Sequence, residues 1–309
     1  MNAEMPMTEK LLTIFTAPKP FVDPHIAVIQ RNAIRCWQSL GAAIEVIMVG
    51  NEEGMAVVAA EYGVQHLPDV ACNRFGTPLI SSIFGLARDA SDTPLLMYAN
   101  ADILFFPDIL DTARTLMSQA ERFLLVGQRW DLDVEVLLDF ETDWAQRLRA
   151  DVGKRGKLHA PAGSDYFLFP RTLYTDIPDF AVGRAGWDNW MIYHATTQSW
   201  PVIDGTPTVT IVHQNHDYSH LPGGQAHYDL EETQINAELG GGMRNMYMVL
   251  DTEKELVGGE IRPPRFRLVR LIRALERAIQ PEGEVSGGLR WRLTRALRRW
   301  RRTVGEARA

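Results

Sequence analysis

The chain has 309 residues, of which 46% are hydrophobic and 23% charged, a balance that suits a globular enzyme and excludes wholesale disorder. No apolar run approaches the roughly 20 residues that a membrane span needs, and the polar start from Met1 to Lys10 lacks the apolar core of a signal peptide. Two cysteines, Cys36 and Cys72, are too few for a disulfide framework and fit a reducing compartment, so a cytoplasmic location is expected.

Leu11 to Thr16 reads as a buried first strand, ended by the prolines of Ala17-Pro18-Lys19-Pro20. An amphipathic helix is predicted from His25 to Leu40 and closed by Gly41, followed by a second strand from Ile44 to Val49. A helix over about Gly54 to Tyr62 and a short strand from Val64 to Leu67 come next. A helix from about Pro78 to Ala90, a fourth strand from Leu95 to Ala99 and a helix from Pro107 to about Ala120 complete the first half. Such alternation, with strands nearly continuous in apolar residues, predicts an α/β fold with a mostly parallel, Rossmann-like sheet flanked by helices. Ligands bind such sheets at the carboxyl ends of the strands.

The second half is less regular. Arg122 to Gly127, Ser164 to Phe169 and Thr208 to His213 read as strands, a polar and aromatic stretch runs from Trp130 to Ala160, and a helix starts near Trp187. Residues 215 to 261 read as irregular with short helices. Two basic helices, 265–280 and 288–303, follow on either side of Pro281-Glu282-Gly283. The expected division is a domain over 1–260, with halves of about 11–120 and 121–260, and a basic helical tail over 261–309.

Charge sets that tail apart. From Arg262 onward there are 14 Arg against 4 Glu, a balance of +10 within a chain whose net charge is −7, which leaves −17 for residues 1–261.

Asn100-Ala101-Asp102 follows the fourth strand, where a carboxylate projects into the ligand crevice and can hold a divalent cation; a turn or helix-capping Asp is the plain alternative. Upstream, Asn73-Arg74-Phe75-Gly76-Thr77-Pro78-Leu79-Ile80-Ser81 places a glycine turn before a helix N-terminus, an arrangement that can receive an anionic group through backbone donors or be a simple loop. It is not a P-loop, since the Gly-Lys-Ser/Thr ending is absent.

Strand, Thr-Ala-Pro turn, strand ending in Gly-Asn, Asn-x-x-Gly turn with a Ser-bearing helix, and strand ending in Asn-Ala-Asp: over about residues 11–217 this series resembles the nucleotide-sugar-binding half of GT-A glycosyltransferases. The family's usual motif is Asp-x-Asp, and here Asn100 stands at its first position, leaving Asp102 as the sole motif carboxylate. The resemblance implies a nucleotide-diphosphate sugar as donor and a glycan or lipid-linked acceptor. Thr16, Ala17 and Lys19 would lie against the nucleobase, bordered by Asn51 and Glu52, with Gly76, Thr77 and Ser81 lining the nucleotide wall and Asn100 at the donor. Asp102 would bind Mn2+ or Mg2+ at the diphosphate, with a late histidine completing the coordination. His213 and His216 are both candidates, and His213 is preferred because it ends a strand; hydrogen-bonded loop histidines are the alternative.

Asp188, in Gly186-Trp187-Asp188-Asn189-Trp190, resembles the residue at which inverting members keep their general base, although an Asp there could equally cap the following helix. Asp165 would contact donor or acceptor hydroxyls, and Tyr166, Trp187 and Asn189 would sit at the acceptor. Arg129 offers a cation to the diphosphate or a surface salt bridge.

In the tail, arginines interleave with Phe266, Leu268, Leu271, Ile272 and Leu275, and again with Trp291, Leu293, Leu297 and Trp300. Basic amphipathic helices with tryptophan suit an anionic membrane surface, which would give residues 265–303 a peripheral place at the inner face of the membrane. A helix packed on the acidic body is the alternative, and the acidic body argues against a nucleic-acid footprint. Two other functions compete with sugar transfer: a sugar-phosphate nucleotidyltransferase, whose Gly-rich basic loop after the first strand is absent here, and a non-catalytic glycan- or membrane-binding relative, for which Asn100 is the support.

Overall fold

A computed structural model of the chain describes residues 10–216, 230–281 and 287–306. Readings that fall on residues 1–9, 217–229 (Asp217 among them), 282–286 and 307–309 lie outside the described residues.

The first half alternates as its sequence predicts: β1 (Leu12–Thr16), α1 (Pro24–Ser39), β2 (Ile44–Val49), α2 (Met55–Tyr62), β3 (Gln65–Leu67), α3 (Ile80–Asp89), β4 (Leu95–Ala99) and α4 (Asp108–Gln119), with a short β5 (Ile103–Phe105) before α4. Local chemistry sets the boundaries. Asp23 caps α1 by accepting from the Ile26 N–H at 2.9 Å, with Pro24 at the first helical position. α2 ends at Gly63, whose φ of +63° a side chain would resist. Then come β6 (Leu124–Val126), β7 (Trp130–Leu132), α5 (Trp144–Arg155), β8 (Lys157–Leu158), β9 (Tyr166–Pro170), α6 (Trp187–Thr197), β10 (Val202–Asp204) and β11 (Ile211–Gln214). The last part holds α7 (Glu231–Leu239), β12 (Lys254–Val257), β13 (Glu260–Arg262), α8 (Leu268–Ile279) and α9 (Leu289–Glu306).

One sheet of order β13-β12-β10-β6-β9-β4-β1-β2-β3 forms the centre. β3, β2, β1 and β4 are mutually parallel, β9 is inserted antiparallel between β4 and β6, and β10 and β12 continue parallel to β6. Alternating side chains supply two cores. Leu95, Met97 and Ala99 of β4 pack with α1 and α4 on one face, and Leu96 and Tyr98 pack with α3 and α6 on the other. Fully buried Trp37, Phe84 and Phe169 each contribute about 2 kcal/mol of apolar burial. A smaller sheet, β5-β11-β7-β8, sits beside the large one.

Several elements depart from expectation. The strand expected from Thr208 starts at Ile211, because the Thr208 and Val209 N–H groups donate to the Gly205 carbonyl in a turn. The stretch from Trp130 to Ala160 contains β7, α5 and β8. The region read as irregular carries the β12–β13 hairpin, joined by Gly258-Gly259 with both φ values positive, the geometry a two-residue hairpin turn requires.

The basic tail packs on the body. Arg270 reaches Asp204 at 3.0 Å and Arg273 reaches Asp251 at 2.8 Å. Glu276, fully buried, ties α8 to α9 by accepting from Arg273 at 3.2 Å, Arg298 at 3.0 Å and Arg301 at 2.9 Å. Burial alone would raise its carboxyl, but Arg273 and Arg301 hold it below the ordinary 4.5. Its stabilising effect is therefore complete above that value and lost only as pH falls through the lower folded pKa. Replacing Glu276 with Gln should cost about 3 kcal/mol, since Arg301 stays buried without a counter-charge while Arg273 keeps Asp251. Arg298→Ala should cost under about 1 kcal/mol, because that side chain is partly solvated. Urea midpoints of the two variants decide the matter, and equal shifts would contradict the buried-network account.

Candidate functional site

β1, β2 and β3 run outward in sequence, while β4 lies on the opposite side of β1, so the direction of strand addition reverses between β1 and β4. That is the crevice where open α/β sheets take ligands, and a cleft of about 620 Å³ opens there. Ala17 to Pro20 after β1, Gly50 and Glu52 after β2, and Asn100 to Asp102 after β4 form one side. Gly76, Thr77, Gly183 and Arg184 form a wall, and Arg129, Asp131, Asp165, His213 and His216 close the other side. Gln30 of α1 fixes the first of these loops, accepting from the Lys19 N–H at 2.6 Å and donating to the Lys19 carbonyl at 2.9 Å.

Asp102, His213 and His216 each turn a ligand atom inward, and the three atoms lie within 4.8 Å of one another. Backbone pairing creates this cluster. β5 and β11 are antiparallel with His213 opposite Ile103, which sets the histidine beside the residue preceding Ile103. Fully buried Gln214 completes the clamp: its backbone N–H donates to the Asp102 carbonyl at 3.1 Å, its side-chain amide donates to the Ile29 carbonyl at 2.8 Å, and its amide oxygen accepts from Asn32 at 2.9 Å.

The Asp102 carboxylate is unevenly satisfied. Oδ2 is 3.2 Å from His216 Nε2 and 3.7 Å from His213 Nε2, whereas Oδ1 is buried with no hydrogen-bond partner among the described residues. An orphaned buried carboxylate oxygen is costly and calls for a cation or donor to meet it. Burial would raise this carboxyl, yet His213, the His216 hydrogen bond and Lys19 hold it well below the usual range, so it is ionised at neutral pH. Burial, joined by Arg129, lowers His213 below 6.5 against the pull of Asp102, leaving a neutral ring able to offer a lone pair. One ionised carboxylate and two imidazoles form a mixed O/N donor set that suits a first-row divalent ion such as Mn2+ better than Mg2+, which prefers oxygen ligands.

A second tier holds these groups. β7 runs parallel to β11 with Asp131 paired to His213, so Asp131 Oδ1 lies 3.5 Å from His213 Nδ1, which also meets Asn215 Oδ1 at 3.4 Å, while Asp131 Oδ2 takes His159 at 2.7 Å. A carboxylate on the far nitrogen of a ligating imidazole fixes ring and tautomer. Arg129 bridges Asp131 at 2.9 Å and Asp165 at 2.7 Å, and these carboxylates keep it firmly charged despite its burial. Asn100 donates to the same Asp165 oxygen at 3.0 Å. A carboxylate at position 100 would meet that of Asp165 at hydrogen-bond distance, a repulsion the amide turns into a bond.

Of the residues singled out from sequence, Ala17, Lys19, Glu52, Gly76, Thr77, Asn100, Asp102, Arg129, Asp165, His213 and His216 line the cleft. The others lie elsewhere. Thr16 is fully buried at the end of β1, and Asn51 is exposed beside the cleft. Ser81 donates its hydroxyl to Asp179 at 2.6 Å. The glycine turn does not abut a free helix N-terminus: Pro78 and Leu79 form β-bridges first, and the Ile80 N–H donates to the Phe180 carbonyl. Tyr166 is fully buried in the sheet against Phe105, and Trp187 packs edge-on against Tyr98 in the core, so neither presents a face to an acceptor. Asn189 donates to the Tyr247 carbonyl at 2.6 Å. Asp188 sits in the first turn of α6, where its carboxylate accepts from the Gly186 N–H at 3.3 Å, and burial raises its pKa. His216, Asp131, His159 and Arg184 enter the site without having been preferred from sequence. Arg184 is placed by Glu232 of α7 at 2.8 Å, which also accepts from Asn73 and so ties the two segments of that wall together.

Titration of the protein with Mn2+ should show one site that is lost in Asp102→Ala and weakened about tenfold or more in Asp131→Asn. Affinity should fall on acidification as the imidazole ligands protonate, His213 doing so below the ordinary histidine value of 6.5. Unchanged binding by Asp102→Ala in calorimetry would remove this cluster as the site.

No protein-family model matches the chain, and no curated protein matches it in sequence. Among solved structures, glucosyl-3-phosphoglycerate synthase of Mycobacterium tuberculosis is similar with a TM-score of 0.44 and 14% identity, over 75% of this chain and 77% of that one. The same enzyme in complex with Mn2+, uridine diphosphate and phosphoglyceric acid gives a TM-score of 0.46 and 12% identity, over 84% and 87% of the two chains. The mannosyltransferase PcManGT of Pyrobaculum calidifontis, in complex with GDP-Man and Mn2+, gives 0.41 and 12%, over 68% of this chain and 58% of that one.

Proposed function

We propose that the protein is a glycosyltransferase of the GT-A type that moves a sugar from a nucleotide-diphosphate donor to a glycan or lipid-linked acceptor. The observation that carries this reading is the orphaned Oδ1 of Asp102, beside His213 and His216 in a cleft at the β1/β4 switch point. Asp102, His213 and His216 would hold a divalent cation, Mn2+ or Mg2+. Bound there, such an ion offsets the negative charge that gathers on the departing diphosphate as the bond from the anomeric carbon to the phosphate oxygen breaks.

The chain's own residues supply the rest. The Ala17-Pro18-Lys19-Pro20 loop and Glu52 border the space for the nucleoside, with Gly76 and Thr77 opposite. Lys19 and Arg184 add positive charge along the cleft for the diphosphate. Asp165, held by Arg129 and Asn100, presents a carboxylate to sugar hydroxyls. Asp188, near enough to Asp165 for their charges to interact though not itself lining the cleft, would take the proton from the attacking acceptor hydroxyl. Burial raises its pKa, the direction in which a carboxylate becomes a better proton acceptor at neutral pH. A base at that place implies inversion at the anomeric carbon. Asn100, the support for a non-catalytic relative, has a stabilising role of its own beside Asp165, which weakens that alternative.

Incubation with a panel of nucleotide sugars should give Mn2+-dependent donor hydrolysis or transfer. Asp102→Ala should lower kcat by about 100-fold or more. Asp188→Asn preserves a helix cap, so it should keep the melting temperature and donor KM while losing kcat. Full kcat in Asp188→Asn would leave that residue a cap only. No nucleotide-sugar turnover or binding under any metal condition would overturn the assignment.

A further inference from the structure

The C-terminal hairpin carries a surface that the cleft chemistry does not use. α8 and α9 run antiparallel: Glu276 takes Arg298 and Arg301, and Val269 at the start of α8 lies against Gly305 near the end of α9. Arg270, Arg273 and Arg277 turn inward to Asp204 and Asp251, so the basic stripe of α8 is satisfied by the body.

The outer face is apolar. Leu268, Leu271 and Leu275 are exposed and, at about 100° per residue, fall on one arc of α8. Phe266, just before the helix, is 84% exposed. α9 repeats the pattern with Leu289, Leu293 and Trp300, of which Leu289 is 74% exposed. On both helices this arc is displaced in the same rotational sense from the residues of the seam, and in an antiparallel pair that puts both arcs on one side of the hairpin. α9 adds an exposed stripe of Arg292, Arg295 and Arg299, centred roughly 100° around the helix from its leucines and so flanking the apolar arc, and none of the three has a carboxylate partner among the described residues.

We propose that this face docks on an anionic phospholipid surface. Leucines, Phe266 and Trp300 would enter the boundary between headgroups and acyl chains, and the arginines of α9 would meet lipid phosphates. No helix among the described residues is long and apolar enough to cross a membrane, so the hairpin would lie in the interface. Nucleic acid would satisfy the arginines but leave the leucines in water.

Flotation of the full chain with vesicles tests this without nucleotide, so its outcome is separate from that of the transfer reaction. Binding should occur on phosphatidylcholine vesicles containing 30% phosphatidylglycerol, be much weaker on pure phosphatidylcholine, and decline as salt rises. Each of Arg292→Gln, Arg295→Gln and Arg299→Gln should weaken it about fivefold, and Leu293→Glu with Trp300→Glu should abolish it. All five positions are exposed, and circular dichroism melts should confirm that the variants fold. Equal binding to neutral and anionic vesicles, no binding to either, or burial of the face in a dimer by light scattering would overturn the proposal.

Discussion

The site depends on a pairing of a few residues: β5 against β11, locked by Gln214. β4 ends at Ala99, and without β5 nothing would return the chain to meet His213. The antiparallel register of His213 opposite Ile103, with the Gln214 N–H on the Asp102 carbonyl, converts two segments more than one hundred residues apart into one cluster. Because Gln214 is fully buried and also holds Asn32 and Ile29 of α1, the cluster is anchored to the helix that shapes the opposite loop.

Electrostatics then follow from position. Asp102, Asp131 and Asp165 all line the cleft, and Arg129 stands among them, bonded to the last two. That leaves Asp102 as the carboxylate facing the histidines, with one oxygen still unmet. The amide of Asn100 spares the cluster a further negative charge while bonding Asp165. Far from the cleft the same principle organises the tail, where Glu276 gathers three arginines and Asp251 and Asp204 hold α8 to the sheet.

Much of the α/β half was legible because its strands are continuous apolar runs bounded by Pro or Gly, signals that act locally. The crevice after β4 followed from the same alternation, which places Asn100 and Asp102 in it, whereas Ala17 follows only from the resemblance to GT-A glycosyltransferases. What sequence missed was short and held by partners: β5, β7 and β10 are three residues each and exist through pairing. The β12–β13 hairpin is different, since Gly258-Gly259 between alternating residues was a readable turn. Tyr166 and Trp187 looked like acceptor platforms because they flank acidic residues, but strand alternation and helix packing send both into the core. His216 and Asp131 could not be ranked from sequence, because their roles arise from the β7–β11 register. The arginines of 265–280 split between body and solvent according to helix phase, a division that charge counting alone cannot make.

The central claim is that Asp102, His213 and His216 form one divalent-cation site. A crystal structure with Mn2+ and a nucleoside diphosphate, read by the anomalous signal of manganese, tests it most directly. The account predicts a single strong peak in the cleft, roughly 2.0–2.3 Å from an Asp102 oxygen and an imidazole nitrogen, with diphosphate oxygens completing the shell. A peak at Asp131 or Asp165 with Asp102 unligated, or no peak with the nucleotide bound, would contradict it.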